Sequence, residues 1–193
     1  MKSFYIIFIL GLFLAGCRPC KPVITDRGPL TEELLERIPY KDGEYVRFEH
    51  SNGLIISFYV KRFTEKRRES FDHCWCCDEL IWEENITVLS PDYPIFDFKL
   101  TVSNADTSAY PIWGHIGKNS FMIPDENIDE YYIDIADSLI INGRLYHSVY
   151  QIKCEEYYWD KPDILSVDSV MYNMEYGILK VVMTNGEQYL KDE

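Results

Sequence analysis

Three Asn-Gly dipeptides, each set between runs of strand-like residues, constrain this chain more than any other feature. Asn52-Gly53 joins Tyr45–Glu49 to Leu54–Phe63, and Asn142-Gly143 joins Ser138–Ile141 to Arg144–Lys153. Asn185-Gly186 joins Tyr176–Thr184 to Glu187–Leu190. A type I′ turn needs positive φ at both central residues, which Asn and Gly tolerate, so each dipeptide predicts a tight hairpin. Further strands are expected at Asn85–Leu89, Ile95–Val102, Asn119–Ile123 and Val167–Tyr172. No strand pattern alternates with a helix pattern, which favours an antiparallel over a parallel sheet. The expected class is mainly β, formally α+β with one short helix. Its architecture is an antiparallel sheet shaped as a curved half-barrel, a barrel or a sandwich. The fifteen tyrosines fit this reading, because Tyr packs well on half-buried sheet faces.

The one helix is expected from a Thr31 cap through about Ile38, with Glu32 and Glu33 at its positive end and Arg37 at its negative end. Leu34, Leu35 and Ile38 would form its apolar stripe, and Pro39 follows its stop. Residues 18–30 carry Pro19, Pro22 and Pro29 with little apolar content, and read as an extended tether.

Ahead of that tether, Met1-Lys2-Ser3 precedes an apolar run from Phe4 to Phe13, followed by Leu14-Ala15-Gly16-Cys17. A run of about ten residues suits a signal-peptide core and falls short of the ~20 that a membrane-spanning helix needs. Leu-Ala-Gly-Cys resembles the lipobox of bacterial lipoproteins. The resemblance implies a signal peptide over residues 1–16, cleavage after Gly16, and acylation of Cys17 with palmitate-like chains. Two or more chains are needed for durable anchoring, at about 0.8 kcal/mol per buried CH₂. Arg18 stands where an aspartate would signal inner-membrane retention, and no acidic run follows the cysteine. Similarity to those sorting rules implies an outer-membrane anchor facing the periplasm.

The remainder then comprises a lipidated tether over 17–30 and a single β-rich domain over 31–193. Removing residues 1–16 takes away Lys2, so the formal net charge of −13 becomes −14. Such acidity argues against nucleic acid, whose phosphates need clustered Lys and Arg. One basic cluster exists, Lys61, Arg62, Lys66, Arg67 and Arg68, following a predicted strand and interrupted by Glu65. It reads as a solvated loop; as a functional element it would face lipid phosphates.

With Cys17 spent on lipid, five cysteines remain: Cys20, Cys74, Cys76, Cys77 and Cys154. An exported chain meets an oxidising compartment, so disulfides among Cys74, Cys76, Cys77 and Cys154 are expected, with Cys154 the distant partner of the cluster. Five is odd, which leaves at least one thiol free or paired between chains. A weaker metal reading uses His73, Cys74, Cys76 and Cys77, a donor set suited to zinc or copper(I), but Cys-x-Cys-Cys crowds the ligands. No metal or other cofactor is assigned. Asp125-Glu-Asn127-Ile-Asp129 has the alternating oxygens of a calcium loop but places Glu130 where the turn glycine belongs and Ala136 where the bidentate acid should fall.

No Gly-x-Ser-x-Gly elbow, HExxH pair or Walker loop occurs, and His50, His73, His115 and His147 stand apart in the sequence. No catalytic residue is assigned. A glycosidase pair among the many carboxylates depends on spatial separation, which a sequence does not show. Trp113 and Tyr157-Tyr158-Trp159 could stack on sugars or peptides, or simply pack on strands.

The C-terminal third carries Asp137-Ser-Leu-Ile-Ile-Asn-Gly-Arg-Leu-Tyr146, then Tyr176-Gly177-Ile-Leu179 and Asn185-Gly-Glu187. With the lipobox, this resembles small lipoproteins of Bacteroidota. The resemblance covers the lipobox and about residues 137–190, and it implies a β module with no activity to transfer. Asp137-Ser138-Leu139 and Asp168-Ser169-Val170 resemble the short O-glycosylation motif of exported proteins in that group, making Ser138 and Ser169 candidates. The expected function is a lipid-anchored, non-enzymatic module. It would contact the membrane through Cys17 and bind an envelope protein or a hydrophobic ligand. An envelope glycan hydrolase and a metal-handling protein are the alternatives.

Overall fold

The computed structural model describes residues 22–73, 76–93, 95–105, 112–124, 133–156 and 166–192; for 72, 73, 76, 77, 155 and 156 it describes the backbone alone. The chain is mainly β, and the described residues form thirteen strands in one sheet and a single short helix, α1 (Glu32–Glu36). The strands are β1 (Ile24–Asp26), β2 (Tyr45–His50), β3 (Ile55–His73), β4 (Cys76–Pro91), β5 (Phe98–Ser103), β6 (Ile112–Ile116) and β7 (Asn119–Ile123). They continue with β8 (Ile133–Ile141), β9 (Arg144–Lys153), β10 (Glu155–Glu156), β11 (Val167–Asn173), β12 (Gly177–Met183) and β13 (Gln188–Asp192). Their order is β10-β7-β6-β5-β4-β3-β2-β13-β12-β11-β9-β8; every pairing is antiparallel except that of β1, which joins β4 in parallel.

This order curls back on itself. One stretch of chain reaches both ends of the main sheet, because β9 pairs with β11 at Lys153↔Ser169 while β10, two residues on, pairs with β7 at Glu155↔Ser120. Buried Asn119 spans the seam: its Oδ1 accepts from the Val167 amide at 3.0 Å, and its Nδ2 donates to Ser166 Oγ at 3.4 Å. The result is a curled half-barrel whose concave side faces inward from almost every strand.

The interior is one apolar cluster. Phe48, Phe58 and Phe98 form its aromatic centre, with ring centroids 4.9–5.4 Å apart. Leu89, Leu100, Ile112, Ile123, Val170, Tyr172, Ile178 and Val181 surround it, bringing in five further strands, each side chain fully or almost fully buried. A second cluster sits on the opposite face, where Ile141, Tyr146, Val149 and Leu179 pack with Leu139, Met171, Tyr176 and Leu190. Leu179 reaches it through a β-bulge. Met171 lies opposite Lys180 and Tyr172 opposite Ile178, so Leu179 is the extra residue, turned away from the face that alternation would give it. Ser148, with φ +52°, kinks β9 so that Val149 joins the outer cluster while Tyr150 enters the core.

The three predicted hairpins form, but by two chemistries. At Asn142-Gly143 both residues have positive φ, as a type I′ turn requires. At the other two, glycine alone is positive. Gly53 N donates to the His50 carbonyl and His50 N to the Leu54 carbonyl; Gly186 and Met183 repeat the pattern with Glu187. These are three-residue loops closed by a glycine bulge, so the expectation of a I′ turn is corrected at both.

The helix is shorter than expected. Thr31 caps it by accepting from the Leu34 amide, but it stops at Glu36, with Arg37 as its cap. Pro39 disfavours α geometry at Ile38, so Ile38 and Tyr40 enter the core from extended backbone instead of a helical stripe.

The tether is also corrected. Residues 22–30 are fastened to the sheet: Val23 N donates to Asp78 Oδ1, Glu79 N to the Val23 carbonyl, Arg27 N to the Ile81 carbonyl, and Leu30 N to Glu83 Oε2. β6 and β10 were not anticipated.

Tyr40 lies against Gly177, whose φ is +75° and whose missing Cβ would overlap the Tyr40 hydroxyl end. Gly143 has a similar φ, +77°, with open space around it. Gly143→Ala should therefore cost about 1 kcal/mol from backbone strain alone, and Gly177→Ala about 3 kcal/mol once the overlap is added. Urea unfolding measures the difference; equal losses would contradict the close approach.

Candidate interaction surface

The basic cluster is not a loop. β3 runs on through Lys66, Arg67 and Arg68 to His73, paired with β4 continuously from Phe58 onward. β4 is last paired with β5 at Glu84↔Ser103, so the β3–β4 hairpin projects about 26 Å beyond the barrel wall as a ribbon, with β1 as its third strand. Its charges are arranged to neutralise one another. Glu65 and Glu84 are directly opposed, and Arg67 bridges both, at 2.8 Å and 3.1 Å. Arg68 reaches its diagonal neighbour Glu79, and Lys66 pairs with Asp26 of β1 at 3.1 Å. These three cations are taken up within the ribbon itself.

Arg62 has a different role. Its side chain turns inward at the base of the ribbon, where its guanidinium donates to the carbonyls of Leu35, Ile38 and Tyr40 and to Asn85 Oδ1 at 2.7 Å. The segment 35–40 thereby becomes a stopper in one mouth of the barrel. Tyr172 Oη donates to the Arg37 carbonyl at 2.7 Å, and the Ile178 amide donates to Tyr40 Oη at 2.6 Å. Lys191 completes the seal, donating to the Tyr176 carbonyl with its ammonium 5.6 Å from the Tyr40 ring. Burial pushes both tyrosine pKa values upward and pulls those of Arg62 and Lys191 downward. Sequence reasoning grouped Arg62 with its exposed neighbours. Its one distinguishing signal was parity, because Arg62 shares the face of Phe58 and Val60.

The other candidates are scattered. His50 is buried on the Tyr189 ring, 3.6 Å from Glu187 Oε2. His115 lies on the outer wall of β6, directly opposite Lys99 and Ser120, and its pKa is lowered by burial and by the Lys99 charge. His147 is exposed on β9. Ser138 is exposed on β8, the edge strand, whereas Ser169 is half-buried on β11 and paired on both sides. Trp113 is 41 % exposed on the outer wall, and the rings of Tyr45 and Tyr59 meet at a tilt there, 5.3 Å apart.

Cys154 is a free thiol packed against the core. Across the ladder, its neighbour Glu155 leads through Ser120, His115 and Lys99 to Val88, and Cys77 stands eleven residues before Val88 on β4. That is about 36 Å of strand, where a disulfide needs Cα atoms within about 7 Å. The expected pairing of Cys154 is therefore not made with Cys76 or Cys77, and its thiol is free. Cys17, Cys20, Cys74, the Asp125–Asp129 loop and Tyr157-Tyr158-Trp159 lie outside the described residues, as do the side chains of His73, Cys76 and Cys77. Among the described residues, no three His, Cys, Asp or Glu side chains gather as a metal site would require, and no helix is long and apolar enough to cross a membrane. No family model, curated protein or solved structure matches the chain.

Three outcomes follow from this geometry. Arg62→Met should destabilise by about 3 kcal/mol, because three stopper carbonyls and Asn85 lose a charged donor. Arg68→Met, at an exposed ion pair, should cost under about 1 kcal/mol. Comparable losses in urea unfolding would contradict the division within the cluster.

Burial and the nearby Asp168 push the Cys154 thiol up to about 12, so alkylation with iodoacetamide at neutral pH, read peptide by peptide, should find it unreactive until the chain unfolds. Rapid labelling of native protein would contradict this.

Tyr40 and Tyr172 titrate above the ordinary 10.0, so above that pH the unfolded chain loses protons that the native chain keeps. Stability contributed below pH 10 should fall as pH rises past it, with a shallower slope in Tyr172→Phe.

Proposed function

We propose that this chain is an envelope lipoprotein, anchored through lipid on Cys17 to the outer membrane and facing the periplasm, whose folded domain is a non-enzymatic module that binds a protein partner. The observation that carries the choice of a protein over a hydrophobic ligand is the filled interior. Side chains from strands all round the half-barrel meet in one cluster, and the stopper at 35–40 occupies its mouth. A carrier of lipophilic molecules needs that space empty. Recognition then belongs to the outer wall and the ribbon, where Tyr45, Tyr59 and Trp113 supply the exposed aromatic area that protein contacts favour.

Two measurements test the reading. Growth with an alkynyl palmitate should label the wild-type chain and leave Cys17→Ser unlabelled; an unlabelled wild type would overturn the anchor. Native mass spectrometry of protein released from membranes should give the lipidated chain alone, and a co-purifying lipophile bound stoichiometrically would overturn the choice of a protein partner.

A further inference from the structure

β1 fixes the direction from which the anchor arrives. It pairs in parallel with β4 as Ile24↔Glu79, Thr25↔Leu80 and Asp26↔Ile81. Stepping back along the chain from Ile24 therefore moves toward Cys76 and Cys77, the free end of the ribbon, and away from the barrel. The Val23 amide is held by Asp78 Oδ1, and the Glu79 amide by the Val23 carbonyl, so this direction is hydrogen-bonded up to Val23. Five residues separate Val23 from Cys17, six Cα steps with a reach of at most about 22 Å.

The ribbon end also has the right surface chemistry. Val23 and Ile24 are each 60 % exposed, on adjacent positions and hence on opposite faces of the ribbon, so each face carries one exposed apolar side chain at this level. Nearer the barrel, Lys66–Asp26 and Arg67–Glu84 hold the exposed faces as ion pairs, and Arg68–Glu79 lies level with Ile24. Charge selects the kind of bilayer. Lys66, Arg67 and Arg68 are paired internally, and the ribbon keeps an acidic excess from Glu69, Asp78 and Glu83, which anionic headgroups would repel.

We propose that the free end of the three-stranded β1–β4–β3 ribbon is the membrane-facing surface of this protein, with Val23 and Ile24 entering the headgroup region of a zwitterionic phospholipid bilayer. This rests on the anchoring of Cys17. The ribbon then holds the barrel about 26 Å off the surface and leaves its outer wall free. Apolar burial drives the contact, and the lipid on Cys17 keeps the ribbon end at high local concentration beside the bilayer.

The test uses the full exported chain reconstituted in phosphatidylcholine vesicles, floated on a density gradient, and followed by hydrogen exchange against the same chain in detergent. The expected result is flotation with several-fold slower exchange confined to residues 22–26 and 76–81, while β8 and β12 are unchanged. Val23→Ser with Ile24→Ser should still float, yet lose this protection. Flotation of the wild type without protection at the ribbon, or with protection of the barrel wall instead, overturns the inference while leaving the anchor intact. A wild-type chain that stays at the bottom of the gradient overturns both.

Discussion

The guanidinium of Arg62 is the constraint on which the rest of the molecule depends. A curled sheet with an apolar interior has a mouth, and whatever closes that mouth brings backbone carbonyls out of water. Residues 35–40 do this here, and their carbonyls must find donors or cost a few kcal/mol each. One planar cation with several fixed N–H groups satisfies three of them and also grips Asn85 on the neighbouring strand. A lysine could not reach so many acceptors in one plane. Tyr172 Oη and the Ile178 amide then complete the closure from β11 and β12, donating to the Arg37 carbonyl and to Tyr40 Oη, so strands distant in the sheet are tied through the same short segment.

Curvature comes from local irregularities. The bulge at Leu179, a second register shift between Val167 and Ser169, and the positive φ at Ser148 all lie on β9, β11 and β12. Each breaks strict alternation and sends a residue to the other face. Together they let one sheet serve two clusters, an interior core and an outer patch under the β8–β9 hairpin. The same bending brings β10 round to β7, where buried Asn119 satisfies backbone and side-chain groups across the seam.

Much of the fold was legible because turn chemistry is local. Asn-Gly pairs marked three of the hairpins, and Thr31 with Pro39 bracketed the helix. What escaped depended on partners far away in sequence. The run from Thr64 to Asp72 looks like a solvated loop because its charges have no visible counterpart, yet Glu79, Glu84 and Asp26 supply them across the ribbon. The Pro-bounded segment 22–30 looks like a tether until Asp78 and Glu83 give its amides acceptors. The distance between Cys154 and the cysteine cluster was equally invisible, since strand order fixes it and composition does not. Of the candidate surface, Trp113 could be named from sequence, but Tyr45 and Tyr59 could not, and the wall they share follows from register alone.

The functional reading follows from the same closure. A stoppered, filled barrel offers recognition through its wall and its ribbon, and only a stopper that never opens independently keeps it so. Native-state hydrogen exchange across a denaturant series tests this most directly, by following the Ile178 amide that donates to Tyr40 Oη. If the stopper is integral, Ile178 exchanges only through the opening that exposes the central amides of β3 and β12, with the same free energy and denaturant slope. Exchange of Ile178 through a smaller, denaturant-insensitive opening, with β3 still protected, would contradict the account.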